Sequence, residues 1–167
     1  MKTMFSARER DFLAKFLVFF FLPFAALHFV DASVLTVAVA HAEKILLSLL
    51  GYSATAIGDD LFVDGAHFKI VVDCTGLVLV LLLAALLFAT PLKNEKRLQA
   101  LALFTPFLLA FNLLRLLLTL TVGAVLGQPA LEATHMLMWF VDSAVVFFIW
   151  MRVARVSLGW RVAGMKL

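Results

Sequence analysis

Apolar runs of near-membrane length constrain this chain more than any motif does. Phe16 to Val30 is nearly all apolar with Pro23 inside, and Thr75 to Thr90 stops at Pro91. Leu98 to about Leu126 contains Pro106, and His135 or Met136 to Met151 closes the series. A transmembrane helix takes about 20 apolar residues, and roughly 17 suffice at the lower limit. Hydrophobic residues make up 64% of the 167 and charged residues 15%, with a mean hydropathy of +1.06. Soluble domains run near half apolar and a quarter charged. The chain is therefore an integral membrane protein of about one domain.

Between the first and second runs the character changes twice. Ala32 to Gly51 is apolar but interrupted by His41, Glu43 and Lys44. Each charge at the centre of a span costs about 2.5–3.5 kcal/mol, so this stretch reads as an amphipathic helix on the membrane surface. In Tyr52 to Asp73, Gly58-Asp59-Asp60 and Asp64-Gly65 are turn signals, and His67 to Val72 has strand-like residues. A small β-hairpin or meander outside the bilayer follows. The expected fold is thus an all-α integral membrane protein: about four transmembrane helices, an interfacial amphipathic helix and a small extracytoplasmic β-hairpin.

The boundaries drawn from this pattern are a signal-anchor span plus interfacial helix over 1–51, the hairpin over 52–73, a three-helix core over 74–155 and a tail over 156–167. Ala40-His41-Ala42 looks like a signal-peptidase site but lies too far past the first apolar run, so a retained anchor is expected. Lys2, Arg8, Arg10 and Lys15, the loop residues Lys93, Lys96 and Arg97, and Arg152, Arg155, Arg161 and Lys166 fall on one side of a four-span arrangement. Lys44 and Lys69 fall on the other, with most of the acids. The positive-inside rule then places both termini in the cytoplasm of a cell-membrane protein. The pI of about 9.3 reflects these flanking residues, which contact anionic lipid rather than nucleic acid.

Three costly residues stand out against this background. Cys74, the one cysteine, sits where the polar segment becomes the second apolar run, and its solitude excludes an internal disulfide or a multi-cysteine metal motif. Arg115 lies about 17 residues into the third run, or about 26 Å up a core of about 30 Å. His135 opens the fourth run, so all three are expected at the outer face. A thiol needs a base to become a nucleophile, which an imidazole supplies. A permanent guanidinium stabilises the oxyanion of a tetrahedral intermediate or lowers the thiol pKa. Asn112, one turn before Arg115, is placed to orient it or to make an ordinary interhelical hydrogen bond. Asp142, seven residues after His135 on the same face, reads as a buried structural partner for a serine or threonine. The Asp59, Asp60, Asp64 and His67 group is accounted for by turns, and neither metal nor cofactor is expected.

Cys74-Thr75-Gly76 opening a span, Asn112-x-x-Arg115 late in the next and His135 opening the last resemble the exosortase/archaeosortase family of membrane transpeptidases. The likeness covers roughly Gly51 to Ile149, and the acidic-Cys-Thr-Gly form of Asp73 to Gly76 is similar to the archaeal branch. It implies Cys74 as nucleophile, with Arg115 and His135 completing the site and Asp73, Thr75, Gly76 and Asn112 supporting it. It also implies substrates that are exported proteins ending in a tripartite sorting signal, with a membrane lipid or another amine or hydroxyl as acceptor. This chain is shorter in spans than many members, and Trp139 stands where a small residue such as glycine is expected. The other class the sequence admits is a non-catalytic membrane assembly module.

Overall fold

The computed structural model describes residues 6–158, with side chains through 155. Lys2, Arg161 and Lys166, used in the charge argument above, lie outside the described residues. Helix α1 runs Ala7–Leu27 and is started by a reciprocal cap, in which Ser6 accepts from the Glu9 amide and Glu9 accepts from the Ser6 amide. No residue of α1 is buried; Leu17, Phe19, Phe21 and Leu22 face outward. Its apolar surface is thus left largely uncovered by the rest of the protein. It leans on the rest of the protein through aromatic contacts, Phe19 to Phe88 at 5.8 Å and Phe12 to Trp150 at 5.9 Å.

Helix α2, Ser33–Leu49, buries one stripe of Thr36, Ala40, Glu43 and Leu47. Three short antiparallel strands follow, β1 Ala54–Ile57, β2 Asp60–Val63 and β3 Ala66–Lys69, in the order β1-β2-β3. The hairpin expected here is thus a three-stranded meander, because both turn signals, Gly58-Asp59 and Asp64-Gly65, are used. Leu61 and Val63 of the central strand are fully buried. The acids stay outside: Asp60 bonds His67 at 2.8 Å, Asp59 pairs with Lys69 at 3.2 Å, and Asp64 accepts from the Ser53 amide at 2.9 Å.

A 3₁₀ turn at Val72–Thr75 leads into α3, Leu77–Ala89. With 13 residues α3 rises about 20 Å, less than the span expected from Thr75 to Thr90. Helix α4, Asn94–Leu126, begins four residues earlier than the hydropathy suggested, and α5, Gln128–Leu158, begins seven or eight earlier. Among the described residues these two are the helices long and apolar enough to cross a membrane, two of the four spans expected. They are antiparallel neighbours joined at Gly127, where the backbone turns with φ +82°.

Two apolar layers stack along α4. The lower one joins Leu79, Leu83 and Leu87 of α3 to Ala100 and Leu108 of α4 and Val146 and Ile149 of α5. The upper one joins Ala40 and Leu47 of α2, Leu61, Val63 and Ile70 to Cys74 and to Leu116 and Leu120 of α4. The polar residues of α4, Asn112 and Arg115, fall between the two layers.

Candidate functional site

The Cys74 turn is built by backbone constraint. Its amide donates to the Val71 carbonyl at 2.8 Å, and Thr75 Oγ1 donates to the Val72 carbonyl at 2.6 Å. Gly76 then adopts φ +81°, and a Cβ there would sit 3.0 Å from Asn112 Cβ and 3.2 Å from Leu109 Cδ2. Both the left-handed backbone and the close approach of α4 demand glycine. Gly76→Ala is expected to cost at least about 1–3 kcal/mol from the backbone alone, read as an earlier unfolding transition in detergent.

The same approach brings Asn112 to the cysteine. Its Nδ2 donates to the Cys74 carbonyl at 2.7 Å, in a buried hydrogen bond between residues far apart in sequence. Asn112 therefore holds the turn and not the guanidinium. Arg115, one turn on, is buried and donates from Nη1 to Asp142 Oδ2 at 2.6 Å. Asp142 is thus the arginine's partner rather than a serine's or threonine's. Arg115 Nε and Nη2 have no hydrogen-bond partner among the described residues. Two nitrogens of a buried cation thus remain for a ligand, one helical turn from the Asn112 that holds the Cys74 carbonyl. Cys74 is itself buried, and it precedes α3; loss of solvent pushes its thiol above the ordinary range, against the pull of the Val71 hydrogen bond and of Arg115.

His135 is the third residue of the motif. It lies inside α5, not at its head, and two turns from Asp142, about 10 Å along the axis. Its Nε2 accepts from Trp139 Nε1 at 3.0 Å, so the neutral ring carries its proton on Nδ1. Trp139, which replaces the expected small residue, thus fixes the imidazole that the pattern singles out. No hydrogen bond links His135 to Cys74 among the described residues. Asp73 lies in the turn, 3.5 Å from His28 Nε2, which ties the end of α1 to the site.

One residue was missed. Glu43 is completely buried, both its carboxyl oxygens lack partners, and burial raises its pKa to about 8. Its neighbours on the α2 stripe, Ala40 and Leu47, share the cluster that contains Cys74. The 3–4 residue spacing of Thr36, Ala40, Glu43 and Leu47 was the available signal.

A helical membrane protein with one buried cysteine presented on a constrained turn, beside a buried arginine with free donors, is the class defined so far. Residues 7–154 match the transmembrane exosortase family (Exosortase_EpsH), and the chain belongs to that family, one of membrane-embedded, sorting-related transpeptidases. No curated protein and no solved structure matches.

Proposed function

We propose that this chain is a cysteine transpeptidase that cleaves the C-terminal sorting signals of exported proteins at the outer membrane face. The observation that carries the reading is the Cys74 turn held by Asn112, one helical turn before Arg115, a buried cation whose Nε and Nη2 are uncommitted. The Cys74 sulfur attacks the scissile carbonyl, and the developing oxyanion accepts from the free Nε and Nη2 of Arg115. Collapse releases the C-terminal signal and leaves an acyl-thioester. His135, only partly buried, then takes the proton of the incoming acceptor, an amine or hydroxyl of a lipid or another carrier, on Nε2 as the Trp139 indole N–H gives up its hydrogen bond to that nitrogen. Asp73, Thr75, Gly76 and Asn112 hold the nucleophile's turn.

Delivery of the substrate fits the same geometry. β3 is an outer strand of the sheet and runs through Ile70 and Val71 directly into the Cys74 turn. An extended peptide added to that edge is led toward the thiol. The basic loop from Lys93 to Arg97 and the basic N-terminal segment support the orientation in which both termini are cytoplasmic.

The test is co-expression with a tagged exported protein that ends in a short Pro-containing motif, an apolar span and a basic tail. Intact mass of the product is expected to show a truncated C-terminus carrying an acceptor, and Cys74→Ala to abolish that product. Unchanged processing by Cys74→Ala would return the chain to the alternative of a non-catalytic assembly module.

A further inference from the structure

Carboxyl groups are rarely buried without a partner, because desolvation without a compensating hydrogen bond is costly. Glu43 is such a group, with a relative exposure of 0% and both oxygens unpartnered among the described residues. Helix α2 packs on the Cys74 turn, on α4, and on β1 and β2. The titratable or charged groups these elements contribute are Asp73 and Cys74 from the turn, Arg115 from the adjoining face of α4 and Asp60 from β2; β1 has none. Asp60 is engaged by His67; Arg115 gives Nη1 to Asp142, and its free Nε and Nη2 make no hydrogen bond to Glu43. On α2 itself His41 is exposed and Lys44 partly so, and neither pairs with Glu43. Cys74, by contrast, lies in the one apolar cluster with Ala40 and Leu47, the neighbours of Glu43 on its stripe.

We propose that Glu43 is the proton partner of Cys74, taking the thiol proton as sulfur attacks and returning it to the departing amine. This rests on the transpeptidase reading above. In the first step the S–H bond breaks, an O–H bond forms on Glu43, sulfur bonds to the carbonyl carbon, and the carbonyl π pair moves to the oxygen facing Arg115. In the second, that pair re-forms the carbonyl and the C–N bond breaks. The amine nitrogen takes the proton from Glu43, which leaves a thioester and a carboxylate. Rotation of the Glu43 side chain or one bridging water closes the path. A carboxyl held at about 8 by burial is matched to proton exchange near neutral pH. The proposal also separates the roles: Glu43 serves the thiol and the leaving amine, and His135, turned toward Trp139, serves the acceptor.

The experiment uses full-length protein in detergent with two variants, Glu43→Gln and Glu43→Leu. Cys74 alkylation by iodoacetamide is followed against pH, and processing of the tagged substrate is measured in parallel. Both variants remove a neighbouring negative charge, so the alkylation midpoint is expected to move to lower pH. Processing is expected to fall about 10²-fold. A group that merely burdens the thiol would make both faster, so the opposed directions identify a proton partner. The stability sign is also fixed. With the folded pKa near 8 and the ordinary value 4.5, the fold loses stability as pH rises through that window. Glu43→Leu should therefore melt later than wild type above about pH 5. Wild-type processing in either variant, an unmoved alkylation midpoint, or loss of folding in both would overturn the proposal. Unchanged processing by Cys74→Ala would instead sink the transpeptidase reading, and the two failures are distinguishable.

Discussion

Arg115→Lys is expected to lower processing by about 10²–10³-fold, the effect of removing an oxyanion donor. Charge is kept in this substitution, so the argument is geometric. Arg115 uses Nη1 for Asp142 and keeps Nε and Nη2 for a ligand, which one planar group does without moving. A lysine has a single nitrogen on a flexible stem. If it pairs with Asp142 it turns away from the oxyanion, and if it faces the oxyanion it leaves Asp142 buried and alone. The measurement is the rate of substrate conversion by intact mass, beside a melting curve that checks folding. Conversion near the wild-type rate would reduce the role of Arg115 to charge.

The three motif positions had different legibility for physical reasons. Cys74-Thr75-Gly76 was readable because the turn is local: its geometry depends on the left-handed Gly76 and on hydrogen bonds within a few residues. Asn112 and Arg115 were readable as costly residues in an apolar helix, and a rise of 1.5 Å per residue gave a level. That level was counted from Leu98, four residues after the helix begins. Helix α4 starts at Asn94 and continues eleven residues past Arg115, so Cys74 and Arg115 meet partway along it and not at its end. His135 was set at a helix head for a related reason. Pro129 sits in the first turn of α5, where proline is tolerated, and its helix-breaking signal hid the true start.

Glu43 and Asp142 show what hydropathy alone hides. A charge in an apolar helix argues either for the surface or for a buried pair, and only the packing of other segments decides. In α2 His41 is exposed, while Glu43, two residues away and on the opposite face, is buried. For α5 the partner of Asp142 lay on α4, 27 residues earlier, beyond any local pattern. The apolar exteriors of α1, α4 and α5 were legible throughout, since an uncovered apolar surface is a matter of composition and needs no partner to be recognised.

The Arg115–Asp142 pair carries the largest expected effect on stability. Both side chains are almost fully covered, at 4% and 5% relative exposure, and they lie between the two apolar layers rather than in water. Desolvating two ions costs several kcal/mol each, and their attraction repays it only while both are present. Asp142→Ala is therefore expected to destabilise the protein by about 3–5 kcal/mol, because it strands an uncompensated buried cation. Replacing both together, Arg115→Leu with Asp142→Leu, should recover most of that loss, since an apolar pair of similar volume suits the site at least as well. Processing should stay absent in the double variant, which lacks the donors for the oxyanion. Denaturant unfolding in a fixed detergent measures the first effect and intact mass the second. A double variant as unstable as Asp142→Ala would mean that the pair holds α4 against α5 by more than its own charge balance. A stable double variant that still processes substrate would remove Arg115 from the chemistry altogether.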